Sequence, residues 1–175
     1  MTWDAFFTWL MDKEGRSIHQ HPADKGGQTC WGIARAYNPR WRGWQMIDDG
    51  VTSGPELEAA IKEFYVLTYG GLYQRLPERV REVAVDTAVN MGHVYAVQCL
   101  QDALCRLAGS KYVSIDGKLG PQTLEAVRHA DPSALAFTMC AIRLCEYGRR
   151  GRRGDSRNVF LDGWINRVRD LMGAI

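Results

Sequence analysis

Apolar residues recur at helical spacing along most of the chain. Phe6, Phe7, Leu10 and Met11 form one stripe behind Thr2, a residue suited to cap a helix, and predict a helix over 2–13. Glu14-Gly15 closes it, with glycine where a helix C-terminus favours one. Residues 15–32 break the pattern. Gly15, Pro22, Gly26, Gly27 and Gly32 exclude a helix and leave room for a small hairpin. Residues 33–38 predict a short helix ended by Asn38-Pro39, and the stretch with Trp41 and Trp44 reads as a loop.

The pattern then strengthens. Pro55 opens a helix over 55–69, with Leu57, Ile61, Phe64 and Tyr65 on one side, and Gly70-Gly71 breaks it. Pro77 opens another to residue 91, striped by Val80, Val83, Ala84, Thr87, Ala88 and Met91. A helix over 94–108 ends at Gly109, and a polar turn fills 110–120. Pro121 starts a helix over 121–129, and Asp131-Pro132 starts one running to residue 147. Residues 148–157, rich in arginine and glycine, read as a basic loop before a last helix over 160–172. Strand signals are almost absent, so the fold class is mainly α.

Length and composition narrow the class. The 175 residues suit one compact unit, and 46% apolar with 24% charged residues exclude a disordered chain. The apolar runs are too short to span a bilayer, so stable membrane insertion is not expected. The opening Met1-Thr2-Trp3-Asp4 lacks a basic, cleavable leader pattern, so synthesis without a signal peptide is expected. The net charge of +2 hides a split: residues 1–109 carry 11 basic and 13 acidic side chains, residues 110–175 carry 11 and 7. A basic C-terminal part is compatible with an anionic partner or with a solvated loop, and by itself implies no nucleic-acid binding. Five cysteines, none in a C-x-x-C pair, read mostly as small buried hydrophobes. His19-x-His21 resembles half of a zinc site, but no third ligand stands at useful spacing, so no metal and no cofactor are expected.

The unusual chemistry lies near the N-terminus. Glu14 ends an apolar helix, and Asp24 and Thr29 follow in a glycine-rich loop. Glycoside hydrolysis needs such an asymmetric kit. One carboxyl in an apolar setting donates a proton to the leaving oxygen; a second, ionised group in a polar setting steers water or steadies the oxocarbenium-like transition state. Taken alone, the same residues also fit a solvated helix end and a turn former.

The stretch Glu14-Gly15 … Asp24-Lys25-Gly26-Gly27-Gln28-Thr29-Cys30-Trp31-Gly32-Ile33 resembles the signature of glycoside hydrolase family 108, E-G-G … D-x-G-G-x-T-x-x-G-I. Asp86-Thr87-Ala88-Val89-Asn90-Met91-Gly92 resembles that family's D-x-A-V-N-x-G helix end. Ala96–Leu104, with Leu100-Gln101, resembles its next helix. Ile115-Asp116-Gly117-Lys118-Leu119-Gly120-Pro121-Gln122-Thr123-Leu124 resembles the D-G-x-x-G-P-x-T-L of its peptidoglycan-binding region, and Gly163–Val168 resembles its last helix. The matches keep their order over nearly the whole chain. Two departures stand out: Arg16 replaces the family's second glycine, and Gly70 replaces a tryptophan after Tyr69, a loss that Tyr73 is expected to cover.

The resemblance implies a lysozyme-like helical fold with a small irregular or hairpin segment near the catalytic loop. It implies a catalytic region over 1–109 and a peptidoglycan-binding region over 110–175. The implied activity is cleavage of the β-1,4 bond between N-acetylmuramic acid and N-acetylglucosamine. Glu14 would be the general acid, and Asp24 and Thr29, by similarity to phage-type lysozymes, would hold the attacking water. Gln28, Trp31, Tyr65 and Asn90 are candidate sugar contacts, with a packing role open for Trp31 and Tyr65 and a helix-cap role open for Asn90. Asp86 reads as a buried structural partner. The partner is bacterial peptidoglycan, reached after release from the cytoplasm, through a holin or similar route, by a monomer. Rival readings are a lytic transglycosylase and a non-catalytic wall-binding or virion protein.

Overall fold

The computed structural model describes residues 2–20, 27–151 and 161–174. Contacts divide the chain into two units, Thr2–Gly71 and Leu72–Ile175.

In the first unit, Thr2 caps α1 (Trp3–Glu14), its hydroxyl accepting from the Ala5 amide at 3.3 Å. Phe6, Leu10 and Met11 are its buried stripe. Three short antiparallel strands follow: β1 (Ile18–Gln20), β2 (Gln28–Cys30) and β3 (Ile33–Ala34), in that order across the sheet. Thr29 pairs with His19 on one side and with Ala34 on the other. The hairpin allowed for in the sequence therefore exists, whereas the short helix expected over 33–38 does not. Ile33-Ala34 completes a sheet edge, and turns lead on to Pro39.

The tryptophan stretch is not a loop throughout. It forms α2 (Gly43–Asp48), six residues with no side-chain cap. Tertiary contacts supply what the local sequence lacks: the Trp44 indole donates to the Asn38 carbonyl at 2.7 Å, and the Trp41 indole to that of Ala60 at 3.2 Å. Next comes α3 (Pro55–Tyr65), whose winding loosens into a π segment over Val66–Gly70. Such segments are rare and are frequent at functional sites.

A short α4 (Gly71–Tyr73) leads to the second unit, built around α5 (Glu78–Met91). Residues 82–88 of α5 are buried without a break, so this helix has no solvent face over two turns. It packs against α6 (His93–Ala108) and α8 (Pro132–Gly151), and α8 packs against α9 (Leu161–Ala174). Between α6 and α8 lies α7 (Pro121–His129). The polar turn before α7 is pinned by one buried side chain. Gln101 Nε2 donates to Asp116 Oδ1 at 2.8 Å and to the Lys118 carbonyl at 3.1 Å, while its Oε1 accepts from the Gly117 amide at 2.9 Å. Gly117 is obligatory there: its φ is +74°, and a Cβ would stand 2.8 Å from Val94.

The α8 helix outruns its expected end. It continues to Gly151, where Arg149 and Arg150 both pair with Glu146 at helical spacing. The rest of the expected basic loop lies outside the described residues. Cys30, Cys99 and Cys140 are buried, as read, but Cys145 is exposed. No helix among the described residues is long and apolar enough to cross a membrane.

Candidate active site

Glu14 is the last residue of α1. Gly15, at φ +83°, ends the helix and returns its amide to the Met11 carbonyl at 3.0 Å. The carboxylate thus projects, half-buried, from the end of a helix whose preceding residues on the same face, Leu10 and Met11, are locked in the core.

It meets the turn that joins β2 to β3. The two-residue connection here is of the type that takes left-handed backbone at both positions. Trp31 (φ +45°) and Gly32 (φ +80°) provide it. Tryptophan is an unusual choice, at a cost of roughly 1–3 kcal/mol. Two hydrogen bonds hold it: the Trp31 amide to the Ser17 carbonyl at 3.0 Å, and the Tyr65 hydroxyl to the Trp31 carbonyl at 2.7 Å. Gly32 is needed for contact as well as conformation. A Cβ there would stand 2.8 Å from Glu14 Oε2 and 2.7 Å from the Tyr65 hydroxyl. The missing side chain is what admits the carboxylate against the turn.

An aromatic wall stands behind this turn. Tyr65 stacks on Tyr69 at 5.6 Å and takes the edges of Phe7 and Phe64 at 6.2 and 5.6 Å. Burial first, and the Glu14 charge second, push the Tyr69 phenol above its ordinary range. Tyr69 is therefore a neighbour of Glu14 that the sequence reading did not select. Its one signal was the four-residue spacing from Tyr65, which puts both rings on one helix face.

The flanking residues have their own partners. Thr29 is nearly buried, with its hydroxyl 3.5 Å from the Gly27 carbonyl. Gln28 Oε1 accepts from Arg35 at 2.9 Å, and Arg35 is itself forked onto Asp48 at 2.8 and 2.6 Å. Tyr65 is only 2% exposed, and its hydroxyl supports the turn. Trp31 is 9% exposed and borders a cavity of about 240 Å³ shared with Phe7, Met11 and Lys62. Arg16 is exposed, bonds Asp12 at 2.9 Å and lies over the Trp31 ring at 5.4 Å. The space a Gly70 side chain would take is filled by Trp3, whose ring lies 3.2 Å from it; Tyr73, expected in that role, is fully buried in the second unit against His93. Asp24 and His21 lie outside the described residues. Among the described residues no three His, Cys, Asp or Glu side chains could share a metal ion.

In the second unit, Asp86 is fully buried between Arg143 and Arg167, at 2.8 Å from each. Asn90, one turn on, accepts the Tyr147 hydroxyl proton at 2.8 Å, so its carbonyl is engaged by a buried group. Tyr147 in turn accepts from Arg143 at 3.3 Å.

Residues 7–92 match the family model described as Glycosyl hydrolase 108. Those residues belong to the glycosyl hydrolase 108 family. Residues 95–169 match a second model, described as Predicted Peptidoglycan domain. The chain thus carries a glycosyl hydrolase 108 region followed by a peptidoglycan-binding domain, a pairing that supports a peptidoglycan hydrolase. Among solved structures it is similar to that titled "Structure of Brucella abortus SagA", with 23% identity and a TM-score of 0.68. The likeness covers 99% of this chain and 94% of that one, and shows a shared fold. No curated protein sequence matches it.

Proposed function

We propose that the chain is an N-acetylmuramidase that hydrolyses the β-1,4 bond between N-acetylmuramic acid and N-acetylglucosamine. Glu14 is the general acid that protonates the leaving oxygen. The observation that carries this is the seat of its carboxylate, at a rigid helix end and packed on a turn that only glycine at 32 allows. A proton donor has to be held within hydrogen-bond reach of one oxygen, and a seat of that kind restricts it. Asp24 and Thr29 hold the attacking water; the support is their place in the motif and, for Thr29, a hydroxyl carried on the sheet that frames the turn. Water delivered from the opposite face inverts the anomeric centre.

Gln28 and Tyr65 act through the frame: Gln28 through Arg35, Tyr65 through the Trp31 carbonyl. Trp31 is a partly covered sugar contact. Asn90 binds substrate through its amide N–H groups. The protein works as a monomer on the cell wall, with no cofactor. Mass spectrometry of digested sacculi tests the reaction. Reducing muramic ends are expected; 1,6-anhydro ends would mean a transglycosylase, and intact wall would mean a binding protein.

A further inference from the structure

The second unit carries a groove that hydrolysis leaves unused. It lies between α6 and α8 and encloses about 980 Å³. Its middle is lined by small or aliphatic groups, Cys99, Ala141, Ile142 and Cys145, and Met172 of α9 adds to it. Ile115 and Phe137 border it as exposed apolar side chains, 50% and 40% accessible. Charges of both signs accompany this apolar strip. On α6, Arg106 donates to Asp102 at 3.1 Å; on α8, Arg149 donates to Glu146 at 2.8 Å. The two pairs lie apart. Tyr95 feels the Glu146 charge, so that pair belongs to the start of α6, and the Arg106 pair to its end.

The dimensions and charges select a ligand. From Tyr95 to Arg106 the helix rises ~16 Å at 1.5 Å per residue. An extended peptide of about five residues spans a similar ~16 Å. Peptidoglycan offers a neutral glycan and a short stem peptide. The glycan has no charges for the four ionised side chains to answer. The stem is rich in alanine methyls and carries free carboxylates and, on its diamino acid, an ammonium group.

We infer that this groove binds the stem peptide of peptidoglycan in an extended form, with carboxylates at Arg106 and Arg149 and the ammonium at Asp102 or Glu146. The inference rests on peptidoglycan being the substrate, and names the part of it that the second unit grips.

The test is titration of the full chain, followed by amide NMR and calorimetry, with the free tetrapeptide L-Ala-γ-D-Glu-diaminopimelate-D-Ala. A soluble chitooligosaccharide is titrated in parallel. The tetrapeptide is expected to bind saturably and to shift the amides around Ala141, Ile142 and Cys145. Ala141→Trp fills the groove from an exposed helical position and should weaken binding by about tenfold or more. Arg106→Glu, also exposed, should weaken it by about tenfold and decides the matter if the first variant does not fold. Failure of the tetrapeptide to bind while sacculi are still hydrolysed would overturn the inference and spare the hydrolase. Unchanged affinity in a folded variant, or chitooligosaccharide shifting the groove instead, would also overturn it. Tetrapeptide binding by a chain that does not cut sacculi would uphold the groove and sink the hydrolase reading.

Discussion

Glu14 in the first unit and Asp86 in the second are both carboxylates set in apolar helices, and they are held in opposite ways. Asp86 is sealed from water and matched by two guanidinium groups. Burial alone would push its carboxyl up; the charges of Arg167 and Arg143 outweigh that and hold it below the ordinary range. Glu14 is half-buried, and its position is set by shape: a helix end, a glycine without a side chain and a backbone turn in an uncommon conformation. The first arrangement uses ion pairs to lock three helices, α5, α8 and α9, into one core. The second uses backbone strain to hold the proposed proton donor half-exposed.

The contrast breaks most visibly at Asp86. Asp86→Ala leaves two guanidinium groups in the core without their counter-charge and should cost about 3–5 kcal/mol, measured by denaturant unfolding. A stability as high as the parent's would show the cluster to be dispensable. The same residue predicts the acid limb. A carboxyl with a lowered folded-state pKa contributes fully above its unfolded value of about 3.9, and that contribution is lost as pH falls toward the folded pKa. Melting temperature should therefore drop below about pH 4, and Asp86→Asn, destabilised throughout, should lose part of that dependence.

Smaller effects belong to the turn. Gly32→Ala forces a Cβ into left-handed backbone and against Glu14 Oε2, and should cost roughly 1–2 kcal/mol. Activity should fall more steeply than stability, because the displaced atom is the proposed proton donor. Equal losses in both would mean the turn is only structural. Tyr65→Phe removes the hydrogen bond to the Trp31 carbonyl and should cost about 1 kcal/mol, with a lower kcat and little change in KM. A change confined to KM would make Tyr65 a substrate contact instead.

Much of this was legible in the chain. Thr2, Pro55, Pro121 and Asp131-Pro132 announce their helices because capping is local chemistry. The motif around Glu14 and Thr29 is legible for the same reason: its glycines mark a turn. What escaped depends on distance. The α2 helix is held by Asn38 and Ala60 rather than by its own cap. Asp86 reads as a buried partner, but the residues it meets, Arg143 and Arg167, stand 57 and 81 residues away. Tyr69 joins Glu14 only once α1 and the π segment have come together, and tryptophan is not a residue that signals left-handed backbone.

The most direct measurement is the rate of sugar-end release from sacculi by Glu14→Gln, alongside its melting temperature. The side chains are nearly isosteric, so the fold and melting temperature should be kept. Loss of the proton donor should lower the rate by about 10²–10⁴-fold. A folded Glu14→Gln protein that releases ends at the parent rate would contradict the account.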